Sequence, residues 1–128
     1  MSRRASHRLS LSKLKTNLIH KLAMAVQQKK EWVFIINPIA GNGFAGRYVH
    51  TLQEMLRENK IDADIVFTAR KGHASELAVQ YAEKGFRYII GVGGDGTLNE
   101  VARALVSRKE VVFGAVAAGT GNDFIQIL

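Results

Sequence analysis

Short apolar runs and amphipathic segments alternate along most of this 128-residue chain. Each apolar run ends in turn residues, which is typical of a strand buried in a parallel sheet. The predicted strands are 32–36, 65–68, 88–92 and 111–116. Between them, apolar residues recur at steps of three and four, as they do on one face of a helix. The predicted helices cover 48–59, 72–84 and 97–107, and another helix is expected after 123.

This order of elements predicts the fold class. Strand, loop and helix repeated in this way form a parallel sheet with right-handed crossovers and helices on both faces. We therefore expect a three-layer α/β/α sandwich around a parallel sheet, with an extra helix at the amino end.

The first 30 residues follow a different pattern. Between residues 9 and 28, Leu11, Leu14, Leu18 and Leu22 lie on one stripe of a predicted amphipathic helix. Segment 1–30 holds eight Lys and Arg residues and no acid, whereas the rest of the chain is nearly neutral. We therefore divide the chain into a basic leader, 1–30, and one folded domain, 31–128.

The leader helix has three interpretations. It packs on the domain, it lies on an anionic membrane surface, or it is a targeting peptide. In a eukaryote the last of these would be mitochondrial, because the leader is rich in Arg and Ser and free of acids. Nucleic acid is not an expected partner, because the charge is confined to the leader and no aromatic stacking platform accompanies it. The lack of cysteine excludes disulfides and thiolate metal sites.

Three glycine-containing loops follow predicted strands, at 37–43, 93–97 and 119–123. Because the carboxyl ends of parallel strands meet at one edge, these loops should form one site, with Thr68 on the same edge. Glycine lets backbone N–H groups approach an anion, and each loop leads into a predicted helix whose amino end favours phosphate. The simpler alternative is that these glycines only make tight turns between strand and helix. Three such loops on one edge favour a phosphate site.

Asp95 has two interpretations. A carboxylate among phosphate-binding amides needs a cation between them, so Asp95 could contact Mg²⁺ or orient an acceptor hydroxyl. Alternatively, it caps the helix that follows. The spacing of glycines in 41–46 also matches the dinucleotide-binding pattern G-x-G-x-x-G, but it begins too far after its strand and lacks the acid that should end the next strand.

The loops together resemble those of a known family. Residues 93–101, GGDGTLNEV, resemble the central motif of diacylglycerol, sphingosine and related lipid kinases. Residues 37–41 resemble the family's first loop, Thr68 with 72–74 its second motif, and 119–124 its fourth. The resemblance covers about residues 32–128, with every motif in order.

This resemblance implies an ATP- and Mg²⁺-dependent kinase of lipid metabolism and phospholipid biosynthesis, acting on a diacylglycerol-like lipid hydroxyl. It implies that Asp95 lies beside the phosphates and Mg²⁺, with no metal ligand firmly assigned. The nucleotide contacts it implies are Asn37, Pro38, Ile39, Ala40, Gly41, Thr68, Gly93, Gly94, Asp95, Gly96, Thr97, Leu98, Asn99 and Thr120.

The resemblance also implies limits. The family's β-rich second domain, which supplies the general base, is not matched, so we expect this chain alone to be catalytically incomplete. A cytoplasmic protein, peripheral on the inner face of the membrane, is expected, and some family members form dimers. Two other functions stay open: an NAD kinase-like or other small-molecule kinase, and a non-catalytic nucleotide-binding fragment.

Overall fold

A computed structural model describes residues 11–23, 30–118 and 125–127. The predicted alternation of strands and helices is confirmed, with most boundaries within two or three residues of the prediction. The elements are α1 (11–23), β1 (Trp32–Ile36), α2 (Phe44–Glu58), β2 (Ala63–Phe67), α3 (His73–Glu83), β3 (Tyr88–Gly93), α4 (Asp95–Leu105), β4 (Val112–Ala118) and β5 (Ile125–Ile127).

The strands form one sheet in the order β2-β1-β3-β4-β5. The first four strands are parallel, and their carboxyl ends are level: Ile36 is paired with Phe67 on one side and with Val92 on the other. The loops after these strands therefore leave the sheet at one edge, which we call the carboxyl rim. The amino ends of the same strands form the amino rim.

The fifth strand corrects one prediction. The helix expected after residue 123 is wrong for 125–127, which form a strand antiparallel to β4 with Val116 opposite Ile127. Without β5, the outer edge of β4 would present unpaired backbone groups, and a short returning strand satisfies them. Apolar residues in so short a segment do not distinguish a strand from the start of a helix.

The two faces of the sheet are covered by different helices. Val33 and Ile35 of β1 are fully buried in a cluster with residues of α3 and α4. Phe34 and Ile36 point the other way, into a cluster that includes Leu52 of α2. Because side chains alternate across a strand, one apolar run fills both cores. The predicted three-layer sandwich is therefore confirmed.

Helix α1 has an exposed apolar stripe. Leu14, Leu18, Ile19 and Leu22 have between 57% and 67% of their surface exposed. No described residue covers the stripe, so the structure does not support the packing of this stripe on the domain. In the parts of the chain that the structure describes, no helix combines the length and the apolar character needed to cross a bilayer.

Candidate functional site

A cavity of about 750 Å³ opens at the carboxyl rim. Its volume lies within the range of small-molecule sites, roughly 300–1,000 Å³. The residues that line it come from the first loop, 37–43 after β1, the second loop, 68–72 after β2, and the third loop, 93–97 after β3, which runs into α4; Glu100 of α4 and the last residue of β4 complete it. They are Asn37, Pro38, Ile39, Ala40, Gly41, Thr68, Ala69, Arg70, Lys71, Gly94, Gly96, Thr97, Glu100 and Ala118.

Asn37 joins the first loop to the third. Its backbone N–H donates to the carbonyl of Val92 at 2.9 Å, which continues the pairing of β1 with β3. Its side-chain Nδ2 donates to Oγ1 of Thr97, 60 residues away in sequence, at 3.3 Å. Its Oδ1 accepts from the N–H of Ile39 at 3.3 Å, which shapes the start of the loop. One amide side chain therefore fixes the two loops against each other.

The first loop turns sharply into α2. Gly41, Asn42 and Gly43 all have left-handed backbone angles, with φ of 60°, 57° and 83°. Inside the helix, a Cβ on Gly46 would lie 2.8 Å from the carbonyl oxygen of Pro38. The missing side chain lets α2 pack against its own loop. The glycine spacing of 41–46 thus has a local structural reason, without a dinucleotide.

The glycines of the third loop have two different surroundings. A Cβ on Gly93 would lie 2.9 Å from both Cβ and Oγ1 of Thr97, so the fold itself requires glycine there. Among the residues that the structure describes, and apart from its chain neighbours and the backbone of α4 itself, a Cβ on Gly94 or Gly96 would meet no protein atom within 4 Å, and neither residue has positive φ. Both residues line the cavity. Neither the backbone nor the packing requires glycine at these two positions, but a ligand lying close to the backbone would.

The second loop is held by hydrogen bonds at both ends. The N–H of Thr68 donates to the carbonyl of Ile36 at 2.8 Å. The N–H of Ala69 donates to Nδ1 of His73, in the first turn of α3, at 2.8 Å. The N–H of Gly72 donates to Oε1 of Glu100 at 2.9 Å, so a residue of α4 holds this loop beside the third.

Two cationic side chains on this loop were missed from the sequence. Arg70 and Lys71 line the cavity two and three residues after Thr68. Nη2 of Arg70 lies 2.6 Å from Oε2 of Glu76. This hydrogen bond holds the pKa of Glu76 below its ordinary value and raises that of Arg70. The sequence did contain a signal for them, since two basic residues follow closely after Thr68, which was predicted to lie at this edge of the sheet.

Not all the predicted contacts share the cavity. Asn37, Pro38, Ile39, Ala40, Gly41, Thr68, Gly94, Gly96 and Thr97 do. Gly93 is buried behind Thr97. Asp95, Leu98 and Asn99 line a separate hollow of about 500 Å³ with Ala102, Phe113 and Ala115. Thr120, with the rest of 119–124, lies outside the described residues.

The arrangement fits a polyphosphate better than a bare metal ion. Open glycine backbone, the Thr97 hydroxyl and two cations suit phosphate oxygens. Within 11–23, 30–118 and 125–127, no three side chains of His, Cys, Asp or Glu are grouped as a metal site would require. A cation site is therefore not built by the described side chains alone.

The fold and the rim cavity define the class: an α/β domain that takes its ligand at the carboxyl edge of a parallel sheet. Residues 31–128 match the family model described as diacylglycerol kinase catalytic domain. The chain belongs to this family.

Individual relatives support the same family assignment. The chain is 36% identical over 96 residues to a Bacillus subtilis (strain 168) protein that carries a lipid kinase name, YtlR, covering 73% of this chain and 31% of that protein. It is 30% identical over 116 residues to sphingoid long-chain bases kinase 1 of Arabidopsis thaliana, covering 82% of this chain and 15% of that one. A crystal structure titled as a diacylglycerol kinase from Bacillus anthracis str. Sterne is similar with a TM-score of 0.60 at 31% identity, over 76% of this chain and 37% of that one. The chain thus spans about a third or less of these relatives.

Proposed function

We propose that residues 31–128 form the ATP-binding part of a kinase that phosphorylates a lipid hydroxyl. The observation that carries this is the open space in front of Gly94 and Gly96, beside the Asn37–Thr97 hydrogen bond. Glycines that the fold does not require, on a loop that leads into a helix, suit close approach of a phosphate to backbone N–H groups.

The residues of the rim divide the work of binding. Gly94 and Gly96 leave the backbone open to phosphate oxygens. Thr97 accepts a hydrogen bond from Asn37, which leaves its own hydroxyl hydrogen free to donate. Mg²⁺ would arrive with the nucleotide and offset phosphate charge. Asp95 stays the predicted residue for that ion: it lines the separate hollow, while Gly94 and Gly96 on either side of it in the chain line the rim cavity.

The lipid acceptor rests on the family and on the names of the relatives. No described residue is assigned to it. A diacylglycerol-like or sphingoid lipid hydroxyl is the proposed acceptor. The expectation that this chain alone is catalytically incomplete is kept: it should bind ATP weakly and should not phosphorylate lipid.

Calorimetric titration of the purified chain tests the nucleotide proposal. ATP with Mg²⁺ should bind with a stoichiometry of one, and NAD should compete weakly or not at all. A chain that binds NAD in preference to ATP would favour the small-molecule kinase alternative, and a chain that binds neither would contradict the proposal. Addition of radiolabelled ATP and diacylglycerol vesicles to the same protein then tests the prediction about transfer.

We also propose that α1 contacts an anionic membrane surface. Its exposed leucine stripe is accompanied by Lys13, Lys15 and Lys21, and 11–23 holds no acid. A basic amphipathic helix of this kind lies in the interface of anionic bilayers, where the lipid substrate would also be.

Vesicle co-sedimentation tests this contact. The chain should bind vesicles containing phosphatidylglycerol at low salt and lose binding when Leu14 and Leu18 are both changed to Asp. Variant Lys109→Asp, on the domain, is the matched control for added negative charge. Equal binding by all three proteins would contradict the proposal.

A further inference from the structure

Two side chains of the second loop supply the positive charge of the cavity. Among the described residues that line it, Arg70 and Lys71 are cationic and Glu100 is anionic. The carboxylate of Glu100 accepts the N–H of Gly72 at 2.9 Å, so part of its charge is already engaged. A triphosphate that enters the cavity would meet its side-chain cations on this loop and its backbone donors on the third.

The loop that carries these cations is held in place without a ligand. Its start is tied to β1 through Thr68, and its end to α4 through Gly72 and Glu100. The hydrogen bond from Ala69 to His73 fixes the chain between them. The backbone of Arg70 and Lys71 is therefore fixed beside the cavity, and only their flexible side chains have to move.

The two cations differ in whether a carboxylate is paired with them. Arg70 is paired with Glu76 at 2.6 Å, with side-chain exposures of 58% and 52%. Such an exposed pair contributes little, because solvent screens it. Lys71 is exposed and has no carboxylate within salt-bridge distance among the residues that the structure describes. Arg70 can thus exchange Glu76 for a phosphate, for which its planar guanidinium is well suited.

We propose that Arg70 and Lys71 bind the negatively charged phosphate chain of the nucleotide, and that Glu76 is the counterion of Arg70 until the nucleotide binds. This inference rests on the proposed function and deepens it. Arg70 and Lys71 would distinguish a nucleoside triphosphate from a nucleoside. The uncharged backbone donors of the glycine loops do not make this distinction alone. Affinity should therefore fall in the order ATP, ADP, AMP and adenosine, and should weaken with added salt.

Binding of ATP and adenosine to four variants tests the proposal by calorimetry. Arg70→Ala and Lys71→Ala should each weaken ATP about fivefold to tenfold, as expected for loss of one charge-assisted contact. Adenosine affinity should change by less than about twofold, because it carries no charge to read. Arg70→Lys should recover part of the loss. Glu76→Gln should tighten ATP by about twofold to threefold, because it releases Arg70.

Lys109→Ala is the matched control, since it removes an exposed cation remote from the cavity. It should leave every affinity unchanged. Equal losses of ATP and adenosine in the Arg70 and Lys71 variants would overturn the inference, as would ATP binding indistinguishable from that of Lys109→Ala. Failure of the unchanged chain to bind ATP would instead overturn the proposed function, and the inference with it. Thermal unfolding of each variant shows whether the fold is intact.

Discussion

Two hollows of almost equal size lie at different places on the parallel sheet. The one at the carboxyl rim has about 750 Å³, and the other, which begins beside Lys30 at the amino rim and runs along β2 as far as Val66, has about 740 Å³. Size therefore does not distinguish them, but the surrounding groups do. At the amino rim, Lys30 lies 3.0 Å from Asp64 and 3.8 Å from Asp62, so the charges satisfy one another.

The carboxyl rim is built in the opposite way. There, no described residue fills the space in front of Gly94 and Gly96, and Lys71 has no acidic partner in the same part of the chain. At the amino rim, the rings of Trp32 and Tyr88, the first residues of β1 and β3, stack on each other with centroids 4.4 Å apart. The comparison shows that a cavity alone does not identify a binding site. Polar or charged groups that line the cavity and have no partner among the described residues are the better indication.

The largest expected effect concerns the one glycine of the third loop that the fold requires. In Gly93→Ala, the new Cβ would lie 2.9 Å from Thr97, which is buried, so neighbours must shift. Overpacking of this kind should lower the free energy of unfolding by about 1–3 kcal/mol. Chemical denaturation measures it. An unchanged denaturation midpoint, with ATP binding retained, would contradict this prediction, because it would mean that the residues around Gly93 move to accommodate a Cβ at little cost.

Gly96→Ala should separate binding from stability. The added methyl group meets no described atom outside its own helix and lies within the first turn of α4, so stability should stay equal or rise by up to about 1 kcal/mol. ATP affinity should fall at least about tenfold, because the methyl group occupies space meant for phosphate. Thermal unfolding and calorimetry on the same sample give both values. Unchanged affinity would mean that no ligand approaches this backbone.

Asn37→Ala should have a moderate effect on both properties. It removes the hydrogen bond that joins the first loop to Thr97 and the exposed bond from the N–H of Ile39. Loss of the bond to Thr97 should cost about 1 kcal/mol of stability, and loss of the exposed bond should add a smaller cost. ATP affinity should fall severalfold, because the two loops are no longer fixed against each other. Thr97→Val removes only the bond between Asn37 and Thr97, so it should give the smaller loss of stability of the two; no loss in Thr97→Val would argue against coupling through this bond.

The smallest effect is expected at the amino rim. The pKa of Lys30 is raised above its ordinary value of 10.5 because Asp64 accepts a hydrogen bond from it. A raised folded-state pKa adds stability that is complete below 10.5 and is lost as pH rises through the raised value. Asp64→Asn should therefore destabilise the protein by less than about 1 kcal/mol at neutral pH, with solvent screening the pair.

This difference between Asp64→Asn and the unchanged protein should shrink above pH 10.5. Denaturation series at neutral and alkaline pH measure it, and ATP affinity should not change. A loss of ATP binding in this variant would contradict the division between the two rims.

The sequence predicted the sandwich because its local patterns agree with its packing. The run WVFII at 32–36 fills both cores of the structure, as a buried parallel strand does. The three residues of β5 were beyond such reasoning, because their pairing with β4 depends on a neighbouring strand edge.

The candidate site was predictable in part for the same reason. Glycines 94 and 96 stand out in the sequence, but only coordinates separate them from Gly93. The role of Arg70 and Lys71 depends on Glu100, a residue of α4 that holds their loop, and no local pattern contains that contact. The sequence likewise does not show that Asp95 lines the hollow shared with Phe113 and Ala115, because those residues are distant from it in the chain.

The central claim is that a nucleotide's phosphates lie against the backbone of the carboxyl rim. A titration of the isotope-labelled chain with ATP, followed residue by residue through its amide resonances, tests it most directly. Saturable shifts should be concentrated at 37–43, 68–72 and 93–97, with little change at Ala63, Tyr88 and Val112 of the amino rim. Shifts centred on the amino rim, or none at saturating ATP, would contradict the account.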